Sequence, residues 1–277
     1  MSIRDRLEKW LNYETPPQTF PICDFEKLSH GIKPGDVVLV EGRSRVADVI
    51  RIITQSRWSH SAIYVGRIHE ITDQEVRDKL LEHYETKPET QLLVEGILGK
   101  GIIVTPLTDY VKDNLRICRA STVSAQDVQH VVSYCINKLG TAYNVRQLFD
   151  LARFIFPWRI LPRRWRSTLF TRRPSETAKT VCSSMIAEAY YSVKYPILPL
   201  FRRHGQSGVE LIPRNTRLYT PADFDYSPYF DIKKYPFMGA SDNSPYRDLP
   251  WNKDGVIGHG DMDYDIYETP KQKNKVN

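Results

Sequence analysis

Residues 180–190 read Thr180-Val181-Cys182-Ser183-Ser184-Met185-Ile186-Ala187-Glu188-Ala189-Tyr190, TVCSSMIAEAY. Cys182, Ile186, Ala189 and Val193 fall at helical spacing, so a helix with an apolar face starts near Cys182. That spacing alone is met by Cys182 as the first core residue of the helix. Its position opens a second reading. A cysteine in the first turn feels the positive end of the helix dipole and the unpaired amides, which favour thiolate over thiol and can also receive an oxyanion. A nucleophilic cysteine further needs a base, normally histidine, and the base needs an acceptor for its other ring nitrogen.

Working outward from that helix, the strands lie upstream. GDVVLVEG (35–42) is a strand, and RVADVIRIITQS (45–56) a helix with Val46, Val49, Ile50 and Ile53 on one face. SHSAIYVGR (59–67) is a second strand. TDQEVRDKLLEHYE (72–85) has Thr72 and Glu75 at capping-box spacing and reads as a polar surface helix inserted between strands. QLLVEGILGKGIIVTPL (91–107) is two strands around a glycine turn, and NLRICRA (114–120) a further edge of the same sheet. SAQDVQHVVSYCINKLG (124–140) places Val128, Val131, Val132, Cys135, Ile136 and Leu139 at core spacing, with Gly140 just past the helix end.

Of seven histidines, His60 alone opens an apolar strand. It reads either as a satisfied core residue or as the base. Glu95, at the end of an apolar strand, is either a solvated strand end or the acceptor that fixes the imidazole tautomer. Cys135 is a core residue by its spacing, and Cys23 and Cys118 have no neighbour that would lower a thiol pKa. Four cysteines far apart in no metal-like pairing give no support to a zinc site or a disulfide framework. DMDYD (261–265) resembles the start of a calcium loop, but Ile266 stands where that loop needs glycine. No metal and no cofactor are expected.

The 277 residues, 41% hydrophobic and 11% aromatic, suit one well-cored domain with additions. No apolar run is long enough to cross a bilayer, and MSIRDRLEKWLNYETPP (1–17) lacks the pattern of a secretory signal. Cytoplasmic residence is the expectation, with attachment at the inner membrane surface as its variant. The organisation expected is an amphipathic leader over 1–32, a domain over 33–235 with a basic insertion at 150–176, and an extended or disordered tail over 236–277.

The segments GDVVLVEG, TQSRWSHSAIYVG, LLVEGILGKGIIVTPLTDYV, GTAYN, VCSSMIAEAYY and YTPADFDYS occur in this order over roughly residues 33–228. As an ordered set they resemble the circularly permuted papain-like amidases of the NlpC superfamily, the YaeF/YiiX group, a bacterial family. The resemblance implies an α+β fold, a small antiparallel sheet packed on helices, with the strands bearing the base ahead of the cysteine helix. It implies Cys182 as nucleophile, His60 as base and then acid, Glu95 as orienter of His60, and Tyr143 and Ser183 as substrate contacts. The chemistry implied is hydrolysis through a thiol acyl-enzyme of a cell-wall-type peptide amide or a lipid-linked acyl substrate. Departures are Val181 where the family often has tyrosine, Ser183-Ser184 where it has Ser-Glu, and Asn144 where it has aspartate.

Between Tyr143 and Cys182, Arg153, Arg159, Arg163, Arg164, Arg166, Arg172 and Arg173 alternate with large apolar groups, Trp158 and Trp165 among them, and no acidic residue interrupts Asp150 to Glu176. A solvated basic loop is the plain reading. Arginine beside tryptophan also suits an anionic membrane interface, whereas nucleic acid is not expected as a partner. A catalytically silent lipid-surface module on the same fold is therefore the alternative to the hydrolase.

Overall fold

The computed structural model describes residue 13 and residues 22–85, 87–97, 99–141, 182–204 and 208–237. Tyr143, the arginine-rich segment and the tail beyond 237 lie outside the described residues, as does the side chain of Cys182.

A six-stranded antiparallel sheet organises the chain, in the order β4-β3-β2-β1-β5-β8. Its strands are β1 (Val37–Glu41), β2 (His60–Gly66), β3 (Leu92–Ile97), β4 (Gly101–Pro106), β5 (Asn114–Ala120) and β8 (Phe230–Lys233). The helices are α1 (Phe25–Gly31), α2 (Arg45–Thr54), α3 (Gln74–His83), α4 (Ala125–Asn137), α5 (Cys182–Ser192) and α6 (Pro221–Tyr226). A separate two-stranded hairpin pairs β6 (Leu200–His204) with β7 (Gly208–Ile212).

Strands as apolar as VVLVE arise because both faces of the sheet are covered. On one face Val37, Leu39, Ile63, Val65, Leu92, Val94 and Ile102 form a core with Val131, Val132, Cys135 and Ile136 of α4 and Met185, Ile186 and Ala189 of α5. On the other, Val38, Val40, Ala62, Tyr64, Leu93 and Ile117 pack with Leu28 of α1, Leu107 and Cys23. The two sets alternate along each strand, as the pleat requires. Truncating a fully buried member such as Leu39 or Ile63 to alanine should cost about 2–5 kcal/mol.

Local chemistry sets the element ends. Ser124 caps α4 by accepting from Asp127 N, and Gly140 follows that helix at φ 77°, where a Cβ would be strained. α3 is capped by Asp73, which accepts from Val76 N, not by Thr72. Nor is α3 a purely surface insertion. Val76 and Leu80, four apart on one face, are buried in the helix-side core. β5 is not a sheet edge, because β8 pairs beside it, Cys118 opposite Ile232. Residues 25–31 of the expected leader form α1 on the sheet, and Cys23 bridges to Pro236.

Candidate active site at one end of the sheet

β2 and β3 pair with Ala62 opposite Glu95. His60, two residues before Ala62, belongs to the same pleat face and is the diagonal neighbour of Glu95, a separation that long side chains span. His60 Nε2 and Glu95 Oε2 are joined by a hydrogen bond. Glu95 is fully buried, whereas the His60 side chain keeps 20% of its surface exposed. Glu95 is thus no solvated strand end, and the imidazole stands at the rim of the sheet.

A third group enters from the 3-10 turn Leu107–Tyr110 that follows β4. Tyr110 donates its hydroxyl to Glu95 Oε2 at 2.6 Å. Its ring lies 22° from parallel to the His60 ring at a centroid distance of 6.5 Å. Burial pushes the Glu95 carboxyl up, but the hydrogen bond and charge of His60, with help from Thr105 and Tyr110, outweigh it and hold the group below the ordinary carboxylate range. Thr105, on β4 opposite Leu93, faces the same carboxylate. It falls short of a bond, however: both its Oγ1 and Glu95 Oε1 are buried without a hydrogen-bond partner.

Cys182 is the first residue of α5, which packs over the helix side of β2 and β3. Ser61 of β2 and Ser183 of α5, both fully buried, share a 3.0 Å hydrogen bond between their hydroxyls. This contact joins the residue after His60 to the residue after Cys182. The fully buried Ser183 hydroxyl pins helix to strand through Ser61. Alternation sends Ser61 toward α5 and the His60 side chain toward Glu95 on the opposite face, so imidazole and helix terminus can meet only past the end of the sheet. Ser184, in the same first turn, has a buried hydroxyl without a partner among the described residues.

The other cysteines are buried, and burial raises the thiol pKa of each, most strongly at Cys118 and Cys135. Among the described residues no group of three or more His, Cys, Asp and Glu is placed to hold a metal. Tyr143, Arg159, Arg163, Arg164, Arg166, Trp158 and Trp165 all lie outside the described residues. Tyr110, Thr105 and Ser61 escaped the reading of the sequence. Only Tyr110 left a signal, as a hydroxyl-bearing residue four positions past Pro106, where the chain must turn back across the sheet.

Residues 31–153 match the family model of the permuted papain-like amidase enzymes, YaeF/YiiX, C92 family. The resemblance carried by the strand motifs is thereby borne out, and with it the α+β fold of strands ahead of the cysteine helix. The match covers His60 and Glu95, ends before Cys182, and supports a cysteine hydrolase of amidase or peptidase type in general terms. No curated protein matches the chain. Among solved structures, that of the metalloprotein yiiX from Escherichia coli O157:H7 aligns at a TM-score of 0.43 and 13% identity, over 73% of this chain and 97% of that chain. At that level neither structural detail nor a metal carries over to this chain.

Proposed function

We propose that the chain is a cysteine amidase in which Cys182 is the nucleophile, His60 the base and then the acid, and Glu95 the group that orients His60. The observation that carries this reading is the Ser61–Ser183 hydrogen bond, which sets the first turn of α5 against the strand end where His60 begins. In the reaction the Cys182 thiol gives its proton to His60 Nδ1, and the sulfur attacks the carbonyl carbon of the amide. Amides at the start of α5 receive the oxyanion. Collapse breaks the carbon–nitrogen bond as His60 returns the proton to the leaving amine. A water, deprotonated by His60, then attacks the thioester and releases the acid and the thiol. Glu95, held ionised, stabilises the imidazolium present between these transfers.

The substrate class we propose is a small peptide amide of cell-wall type or a lipid-linked acyl group. A panel of both, with intact-mass detection of the acyl-enzyme, tests the reading. An adduct on the wild type that is lost in Cys182→Ala supports it; equal turnover by Cys182→Ala refutes it. We also propose an anionic membrane surface as partner, on the seven arginines between Asp150 and Glu176. Stronger binding to anionic than to neutral vesicles, weakened by salt and by replacing Arg163, Arg164 and Arg166, is the result expected. Binding indifferent to lipid charge would return the stretch to a solvated loop. No helix among the described residues is long and apolar enough to cross a membrane.

A further inference from the structure

We infer that Tyr110 is a positioning residue of the His60–Glu95 pair, fixing which carboxylate oxygen faces the imidazole. The inference rests on the reading of that pair as base and orienter. The terminal torsion of a glutamate is soft and nearly two-fold, so one hydrogen bond does little to stop the carboxylate exchanging its oxygens. Here Oε2 accepts from both His60 Nε2 and the Tyr110 hydroxyl, while Oε1 is buried without a hydrogen-bond partner. Rotation would carry Oε2 away from two donors at once.

Tyr110 is itself held from both sides. Leu107, at the start of its turn, is fully buried and its N–H donates to Gln91 O at 2.9 Å, just before β3. Asp113 N donates to Tyr110 O at 3.0 Å as the chain enters β5. The turn is therefore strapped between two strands of the sheet, and the phenol is delivered to the carboxylate without a flexible stem. The groups that act most strongly on Glu95 are His60 from β2, Thr105 from β4 and Tyr110 from the turn after β4; His60 and Tyr110 are the titratable ones. Because the phenol donates to the charged form, it helps keep Glu95 ionised as well as aimed.

Tyr110→Phe keeps the ring and removes only the hydroxyl. The readout is the pH dependence of Cys182 alkylation by iodoacetamide in the full chain. With one donor lost, the acid limb should move to higher pH by about half to one unit. A merely structural role would lower the melting temperature without moving that limb. In a Glu95→Gln background, where no carboxylate remains, Tyr110→Phe should leave the limb where Glu95→Gln alone puts it. Incorporating 3-fluorotyrosine at position 110, a stronger donor of nearly the same shape, should move the limb to lower pH and serves if the phenylalanine variant does not fold. An unmoved limb in folded Tyr110→Phe, with Glu95→Gln altering the profile, overturns the role of Tyr110 alone. Profiles unchanged in both variants overturn the His60–Glu95 reading and the inference with it.

Discussion

Replacing Glu95 by glutamine removes one charge and keeps the shape, and the structure sets the size of the effect. The wild-type carboxylate is fully buried, held ionised, and bonded through Oε2 to His60 and Tyr110. A hydrogen bond to a charged group contributes about 1.5–3 kcal/mol, and each 1.36 kcal/mol is a factor of ten. Loss of that support for the imidazolium should slow Cys182 alkylation at neutral pH by roughly 10- to 150-fold. Folding should survive. The glutamine carbonyl can take the place of Oε2, and its amide then points where Thr105 Oγ1 lacks a partner. A loss of about 1 kcal/mol, or roughly 2–4 °C in melting temperature, is expected at pH 7. The folded carboxyl lies below its ordinary value of 4.5, so its stabilisation is present above that value and lost as pH falls through the folded one. The stability gap between wild type and variant should therefore narrow on acidification below 4.5. Alkylation followed by peptide mapping, beside thermal scans at several pH values, checks both parts. A folded Glu95→Gln that alkylates at the wild-type rate would refute the reasoning.

Ser61→Ala and Ser183→Ala should each cost about 1 kcal/mol, and the double variant less than their sum, because the pair shares one buried hydrogen bond; strict additivity in denaturant titrations would deny the contact. Cys23, Cys118 and Cys135, buried with raised thiol pKa values, should stay unlabelled by iodoacetamide in the native protein at pH 7.5 and react after unfolding. Labelling of Cys118 or Cys135 at the rate of an exposed thiol would mean that their strand and helix are not packed as described.

The elements that carry the site were legible because their signals are local. GDVVLVEG and SHSAIYVGR are short apolar runs bounded by turn residues, and α4 announces itself through six apolar positions at core spacing and a closing glycine. Where the sequence misled, the deciding partner lay far along the chain. β5 reads as an edge because nothing in NLRICRA foretells β8, which pairs with it from residues 230–233. Glu95 is as compatible with a solvated strand end as with burial until the register sets it diagonally from His60 and the turn after β4 brings Tyr110 over it. The pairing of Ser183 with Ser61 spans 122 positions, so no local signal foretells it. Within a helix the error was of one residue, Asp73 instead of Thr72 as cap, since both types accept equally well from a helix amide.

The pH dependence of Cys182 alkylation, resolved by peptide mapping in wild type and His60→Ala, measures the central claim most directly. If the thiol at the start of α5 is paired with His60 past the end of the sheet, wild-type Cys182 should react at pH 6 far faster than a thiol of ordinary pKa ~8.5. His60→Ala should then convert its profile to a single titration near that ordinary value. A wild-type profile with one titration near 8.5, unchanged by His60→Ala, would contradict the account.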